Sequence, residues 1–212
     1  MFKRCCDSKS AEVRRFRTVA PLNAIPLRVK RQAILLRAAR RGNDGAMTAV
    51  RHASFAPLVG PDTRLLILGS LPGARSLAER QYYAHPTNQF WRLLGTAIDR
   101  PLADMPYDER LAALGDAHVG LWDVIRSAER HTSSDSLIRE AEAHDLAALI
   151  ADLPELRMVA FNGGKAATIG RRQLPPLEGV AVVDLPSSSA ANTGPYAGKL
   201  ERWLQLRAAL KD

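Results

Sequence analysis

"RLLILGSLPG", residues 64–73, decides how the rest of the chain is read. Leu65 to Leu68 are four apolar residues without a polar break, and Gly69 ends the run. A strand with one face in water alternates apolar and polar residues. An unbroken run suits a strand covered on both faces, as in a parallel sheet between helices. Gly69 and Gly73 let the backbone of the following turn approach a partner closely, and Pro72 stiffens it.

Three further stretches repeat the pattern. "VGLWDVI" (119–125) reads as a strand running into a loop, and "RMVAFNGG" (157–164) as a strand closed by Gly-Gly. "GVAVVDLPSSSAANTGP" (179–195) reads as a strand that breaks at Pro186 into a polar loop. Helical spacing lies between and after them: "NQFWRLLGTAI" (88–98), "YDERLAALGDA" stopping near Gly115, "AHDLAALIADL" (143–153), "KAATIGRRQL" and the closing "KLERWLQLRAALKD". Strands alternating with helices predict an α/β chain with a mainly parallel sheet. Ligands of such sheets bind beyond the carboxyl ends of the strands. "GSLPG", "WDV", "NGGK" and "LPSSSAAN" therefore rim one cleft.

The chain has 212 residues, room for one domain with a tail, and a net charge of +8. The charge is unevenly spread. Residues 1–46 hold twelve basic and three acidic groups, leaving 18 basic against 19 acidic in residues 47–212. The first 46 residues are expected to be a basic extension, either disordered or the product of a start placed upstream of Met47. Residues 47–212 are the expected domain. A basic arm of this kind can bind phosphate backbones without sequence preference. The two cysteines, Cys5 and Cys6, adjoin one another in the extension, so a disulfide framework and a cysteine zinc site are excluded from the domain. No apolar run is long enough for a membrane span, and a cytoplasmic, nucleoid-associated setting is expected.

Neither "GSLPG" nor "NGGKAA" supplies the spacing of a phosphate-cradling P-loop. No nucleophile elbow appears, and the five histidines lack metal-ligand spacing, so no metal and no cofactor are expected. In "YYAHPTNQFW" (82–91), Pro86 fixes the backbone after His85. Asn88 is either the N-cap of the next helix or a functional amide. Phe90 and Trp91 read as core. Tyr82 and Tyr83 stand before the helix, where an aromatic ring can stack on a flat ligand. Asp123 just past its strand is either a turn former or a functional carboxylate. The serine loop offers neutral donors suited to phosphate oxygens, or is a plain surface turn.

Taken in order, "GSLPG", "YYAHPTNQFW", "GLWDVIRSAER", "FNGGKAA" and "LPSSSAAN" resemble the uracil-DNA glycosylase superfamily, and within it the hypoxanthine (deoxyinosine) DNA glycosylase branch. The resemblance spans roughly residues 57 to 210. It implies a three-layer α/β/α sandwich around a four-stranded, mainly parallel sheet. It implies a monomer that flips a deaminated base out of double-stranded DNA and hydrolyses its bond to the sugar. It places the catalytic asparagine at Asn88 and the base-stacking aromatic at Tyr83. Leu71 stands where the mismatch uracil/thymine branch carries asparagine, which points away from that branch. Asp123 becomes a water-activating or leaving-group partner, Ser70 a contact to base or water, and Asn162 a reader of the base edge. Gly69, Leu71, Pro72, Gly73 and His85 complete the base pocket. Ser187, Ser188, Ser189 and Asn192 lie on the loop that enters the minor groove. The alternatives are a mismatch-specific uracil/thymine glycosylase and a non-catalytic DNA-binding relative.

Overall fold

The computed structural model describes residues 51–129 and 139–211. The basic extension expected over 1–46 lies outside the described residues. Four parallel strands form the main sheet: β2 (Leu65–Gly69), β3 (Val119–Asp123), β6 (Met158–Asn162) and β7 (Ala181–Leu185). Their order is β3-β2-β6-β7.

The unbroken apolar runs are explained by period-2 alternation between two cores. Leu65 and Ile67 of β2 share one cluster with Val119, Leu121, Met158, Ala160 and Leu185. Leu66 and Leu68 share the other with Trp122, Val159 and Phe161. The first face is covered by α2 (Phe90–Ile98), α3 (Tyr107–Asp116) and α6 (Tyr196–Trp203), through Phe90, Leu93, Leu94, Leu114 and Trp203. The second is covered by α4 (Leu146–Ala151) and α5 (Gly164–Gly170), through Leu146, Ile150, Ala166 and Ala167. Leu65 to Leu68 are all fully buried, as a strand between two helical layers requires.

Three features depart from the sequence reading. A short helix α1 (Ala74–Glu79) follows the "GSLPG" turn. A second sheet of three antiparallel strands is built from β1 (Arg51–Ala53), β4 (Ile125–Glu129) and β5 (Arg139–Ala143), in the order β1-β4-β5. So "VGLWDVI" runs through Asp123 into another strand, not into a loop. Helix α4 starts at Leu146, later than the apolar spacing suggests, because the Asp145 carboxylate accepts the Ala148 N–H at 3.0 Å and caps it there.

The order of strands sets the position of the site. From β2 the chain goes to β3 on one side, then crosses to β6 on the other. The crevice between such diverging connections opens at the carboxyl ends of the strands. Here those ends are Gly69, Asp123 and Asn162, with the residues after Leu185 beside them.

Candidate active site

A cavity of about 590 Å³ opens at this crevice. Gly69, Ser70, Leu71, Pro72, Gly73, Tyr83, His85, Asn88, Asp123, Asn162, Ser187, Ser188, Ser189 and Asn192 all line it. Every site residue expected from the sequence is therefore brought to one cleft, although the chain between the first and the last is over a hundred residues long.

Asp123 ends β3, is 3% exposed and accepts the Ser54 hydroxyl at 2.8 Å. Among the described residues it is the one carboxylate that lines the cleft. Gly69 lies against it. A Cβ on Gly69 would stand 2.6 Å from Asp123 Oδ1 and 3.0 Å from the Tyr83 hydroxyl. The glycine is thus needed for close approach, as the sequence suggests. Leu71, 6% exposed, packs into the second core as well as bordering the cavity.

The segment 82–91 divides its aromatic residues sharply. Tyr83 has φ 53°, a left-handed backbone that non-glycine residues rarely adopt. Its ring lies nearly face to face with Phe90, at 3.6 Å between centroids and 10° between planes. Tyr82 borders the same cleft from within the core. It is 3% exposed, meets Phe55 edge-on at 5.1 Å, and its hydroxyl has no hydrogen-bond partner within 3.5 Å among the described residues. Burial, with the Asp123 charge second, pushes that phenol well above its usual pKa, so it stays protonated. Both tyrosines border the cleft, but unequally. The Tyr83 ring is half-buried, and Tyr82 is held almost wholly in the core.

Asn88 combines both sequence readings. Its Oδ1 accepts the Phe90 N–H at 3.0 Å, so it braces the first turn of α2 from one position before the Gln89 cap. A backbone N–H can only meet the amide oxygen, which fixes the orientation of the amide. The Nδ2 group remains to donate elsewhere. His85 is exposed and closes its own turn through Nδ1, which meets the Thr87 hydroxyl at 2.9 Å.

Asn162 is placed differently from a simple base reader. Its Oδ1 accepts the Ser188 N–H and its Nδ2 donates to the Ser188 hydroxyl, both at 2.9 Å. Ser188, 1% exposed, also gives its carbonyl to the Gln89 N–H at 2.9 Å. Ser188 is thus an interior clamp between β6, α2 and the loop. Gly163, with φ 100°, makes the sharp exit from β6, and a Cβ there would stand 3.0 Å from the Ser187 Cβ.

The loop 186–195 builds itself. Ser187 Oγ accepts from the Ser189 N–H, Ser189 Oγ from the Ala191 N–H, and Asn192 Oδ1 from the Gly194 N–H. These i,i+2 bonds use the side chains as acceptors. The Ser187 and Ser189 hydroxyl protons stay available to donate.

Residues 56–211 match the model of the uracil DNA glycosylase superfamily. The chain belongs to that superfamily. It is 42% identical over 140 residues to a Methanosarcina acetivorans hypoxanthine DNA glycosylase, covering 65% of this chain and 86% of the relative. It is 36% identical over 156 residues to a hypoxanthine DNA glycosylase of Methanosarcina barkeri, covering 74% and 98%. A solution NMR structure of a candidate uracil DNA glycosylase from Methanosarcina acetivorans superposes with a TM-score of 0.67 at 37% identity, covering 76% of this chain and 99% of that one.

Within this superfamily fold, sequence reasoning missed three contributors. Arg75 of α1 reaches the mouth of the cleft and pairs with Glu79 at 2.7 Å. Ser76, 5% exposed, accepts the Ala84 N–H at 3.2 Å and ties α1 to the tyrosine segment. Lys199, 3% exposed, donates to the Asn192 carbonyl at 2.7 Å and to Gln89 Oε1 at 3.1 Å. A lysine in an amphipathic helix reads as a solvated residue, so nothing in the sequence marks it. Among the described residues no helix is long and apolar enough to cross a membrane. Nor do three of His, Cys, Asp or Glu converge as metal ligands there.

Proposed function

We propose that this chain is a monofunctional DNA glycosylase that removes hypoxanthine from deoxyinosine in double-stranded DNA. The observation that carries the reading is the composition of the cleft: amides, hydroxyls and an aromatic face gathered around one buried carboxylate, in a chain of this superfamily. A site built for phosphoryl or ester chemistry needs a cation cluster or an activated nucleophile, and among the described residues this one offers neither. Breaking an N-glycosidic bond instead builds positive charge on the sugar and negative charge on the departing base.

The extruded base enters beside Tyr83 and stacks on it, an interaction of about 1–3 kcal/mol. The Phe90 ring behind Tyr83 and the strained backbone keep that face in place. Asn88, its oxygen tied to the helix, uses Nδ2 to hold water or sugar at C1′, a positioning role. The bond between C1′ and the base nitrogen breaks, and its electron pair leaves with the base, which is protonated by solvent. The water oxygen bonds to C1′, and its proton passes to Asp123 or to bulk water. The Asp123 carboxylate also favours the cationic sugar that forms first. Ser70 and the backbone of the "GSLPG" turn border the base. The serine loop, held by Asn162, donates hydroxyl protons to the DNA backbone on either side. The protein acts as a monomer on duplex DNA, in the cytoplasm with the nucleoid.

The test is direct detection of the released base. Wild-type protein incubated with a deoxyinosine duplex should liberate free hypoxanthine, read by mass spectrometry, while D123N should slow release by roughly 10²–10⁴-fold. Release of uracil alone, from a uracil duplex, would move the protein to the uracil branch. Duplex binding without release of any base would make it a non-catalytic relative.

A further inference from the structure

Beside the cleft lies a second cavity, of about 450 Å³, lined in part by Asn192, Gly194, Gly198, Lys199 and Arg202. We propose that it seats a backbone phosphate of the bound DNA strand, with Lys199 as the inner cation and Arg202 as the outer one. The proposal rests on the reading of this chain as an enzyme of duplex DNA.

Lys199 is the unusual residue. It is 3% exposed, and both acceptors of its ammonium, the Asn192 carbonyl and Gln89 Oε1, are neutral. Among the described residues no carboxylate forms an ion pair with it. Burying a cation without a counter-ion is costly, and an anion delivered by a ligand removes that cost. The ammonium has three N–H groups, and the two bonds leave one to donate. Arg202 lies one helical turn further along α6, is exposed and also forms no ion pair among the described residues. Asp184 borders the same cavity, but its carboxylate is held by Arg171 at 2.9 and 3.1 Å. The glycines leave the floor open: a Cβ on Gly198 would meet only Pro195, at 3.9 Å.

Position supports the same ligand. Asn192 lines both cavities, so the second adjoins the cleft across a single residue. A strand whose nucleotide turns into the cleft carries its neighbouring phosphates past this loop. Two cations over an open floor suit a phosphodiester better than a flat base, which would need an aromatic wall.

Counterion release supplies a readout that a purely structural lysine would not move. Each phosphate neutralised by the protein adds about 0.9 to the slope of log affinity against log salt. Affinity would be measured for a duplex carrying a non-hydrolysable abasic analogue, between about 50 and 200 mM salt. K199M should lower the slope by about 0.9 and K199R should keep it. R202A should also lower it. If Lys199 only braces the loop, K199M will weaken binding equally at every salt concentration, and the unchanged slope overturns the proposal. If K199M does not fold, R202A decides, and an unchanged slope there overturns it as well. Wild-type cleavage of deoxyinosine duplexes is scored separately. Cleavage with unchanged slopes removes only the phosphate seat. Binding and slope changes without cleavage remove the glycosylase reading and leave the seat standing, and a wild type that binds no DNA removes both.

Discussion

Replacing Gly69 with alanine tests how tightly the geometry around Asp123 is set. The new Cβ would stand 2.6 Å from Asp123 Oδ1 and 3.0 Å from the Tyr83 hydroxyl, where ordinary contacts begin at 3.4 Å. The deficit is about 0.8 Å at the carboxylate and 0.4 Å at the phenol. Neither neighbour yields easily. Asp123 is 3% exposed and held by Ser54, and Tyr83 is pinned face to face on Phe90. Overpacking of this kind costs roughly 1–3 kcal/mol of stability. In a domain of this size each kcal/mol lowers Tm by about 2–4 °C. A displacement approaching 1 Å at a catalytic group can cost about 10²-fold in rate. We therefore expect G69A to fold, melt a few degrees lower, and excise hypoxanthine about a hundredfold more slowly under single-turnover conditions. G115A is the control, because a Cβ there meets nothing within 4 Å. It should match wild type in rate. A G69A protein with the wild-type excision rate would refute the role given to the Asp123 and Tyr83 geometry.

Other expectations follow from single contacts. N162A leaves the buried Ser188 N–H and hydroxyl without their partner, at about 1–3 kcal/mol for each unsatisfied group, so its urea midpoint should fall clearly. N162D keeps the acceptor for the Ser188 N–H and replaces the Nδ2 donor with an oxygen, which the Ser188 hydroxyl meets by turning its own proton towards it; excision closer to wild type than in N162A would mark Asn162 as a loop brace. Y82F removes a buried hydroxyl that has no partner within 3.5 Å among the described residues, so stability should be unchanged or higher by about 1 kcal/mol. A large loss of stability in Y82F would contradict that placement. Burial, with the Arg126 charge second, lowers the His144 pKa to about 4, from an ordinary 6.5. The unfolded chain then binds the proton more tightly, so this contribution is intact above pH 6.5 and is lost as pH falls towards 4. H144F should flatten the urea-stability curve over that range, and an unchanged curve would show that His144 does not carry it.

The main sheet was legible because its strands are covered on both sides. Leu65–Leu68 and Met158–Phe161 have no polar interruption, and only a strand between two cores tolerates that. The cleft was legible as a consequence, since the turn, the carboxylate, the asparagine and the serine loop all follow strand ends. The small antiparallel sheet was not. Its strand "REAEA" is made of good helix formers, and it is a strand only because it pairs with β4. The division between Tyr82 and Tyr83 was equally hidden. Adjacent residues of one type are separated by a left-handed backbone at Tyr83 that no local pattern announces. The clamp at Ser188 joins residues far apart in the chain, and a serine among three serines carries no sign of which one turns inward.

The most direct test of the account is strand cleavage of end-labelled duplexes, each carrying one deoxyinosine, uracil or xanthine, after alkali treatment at abasic sites. The protein should cut at deoxyinosine. Asn88→Ala should not cut there, while binding the same duplex with nearly wild-type affinity. Full cleavage by Asn88→Ala, or cleavage by wild type at uracil alone, would contradict it.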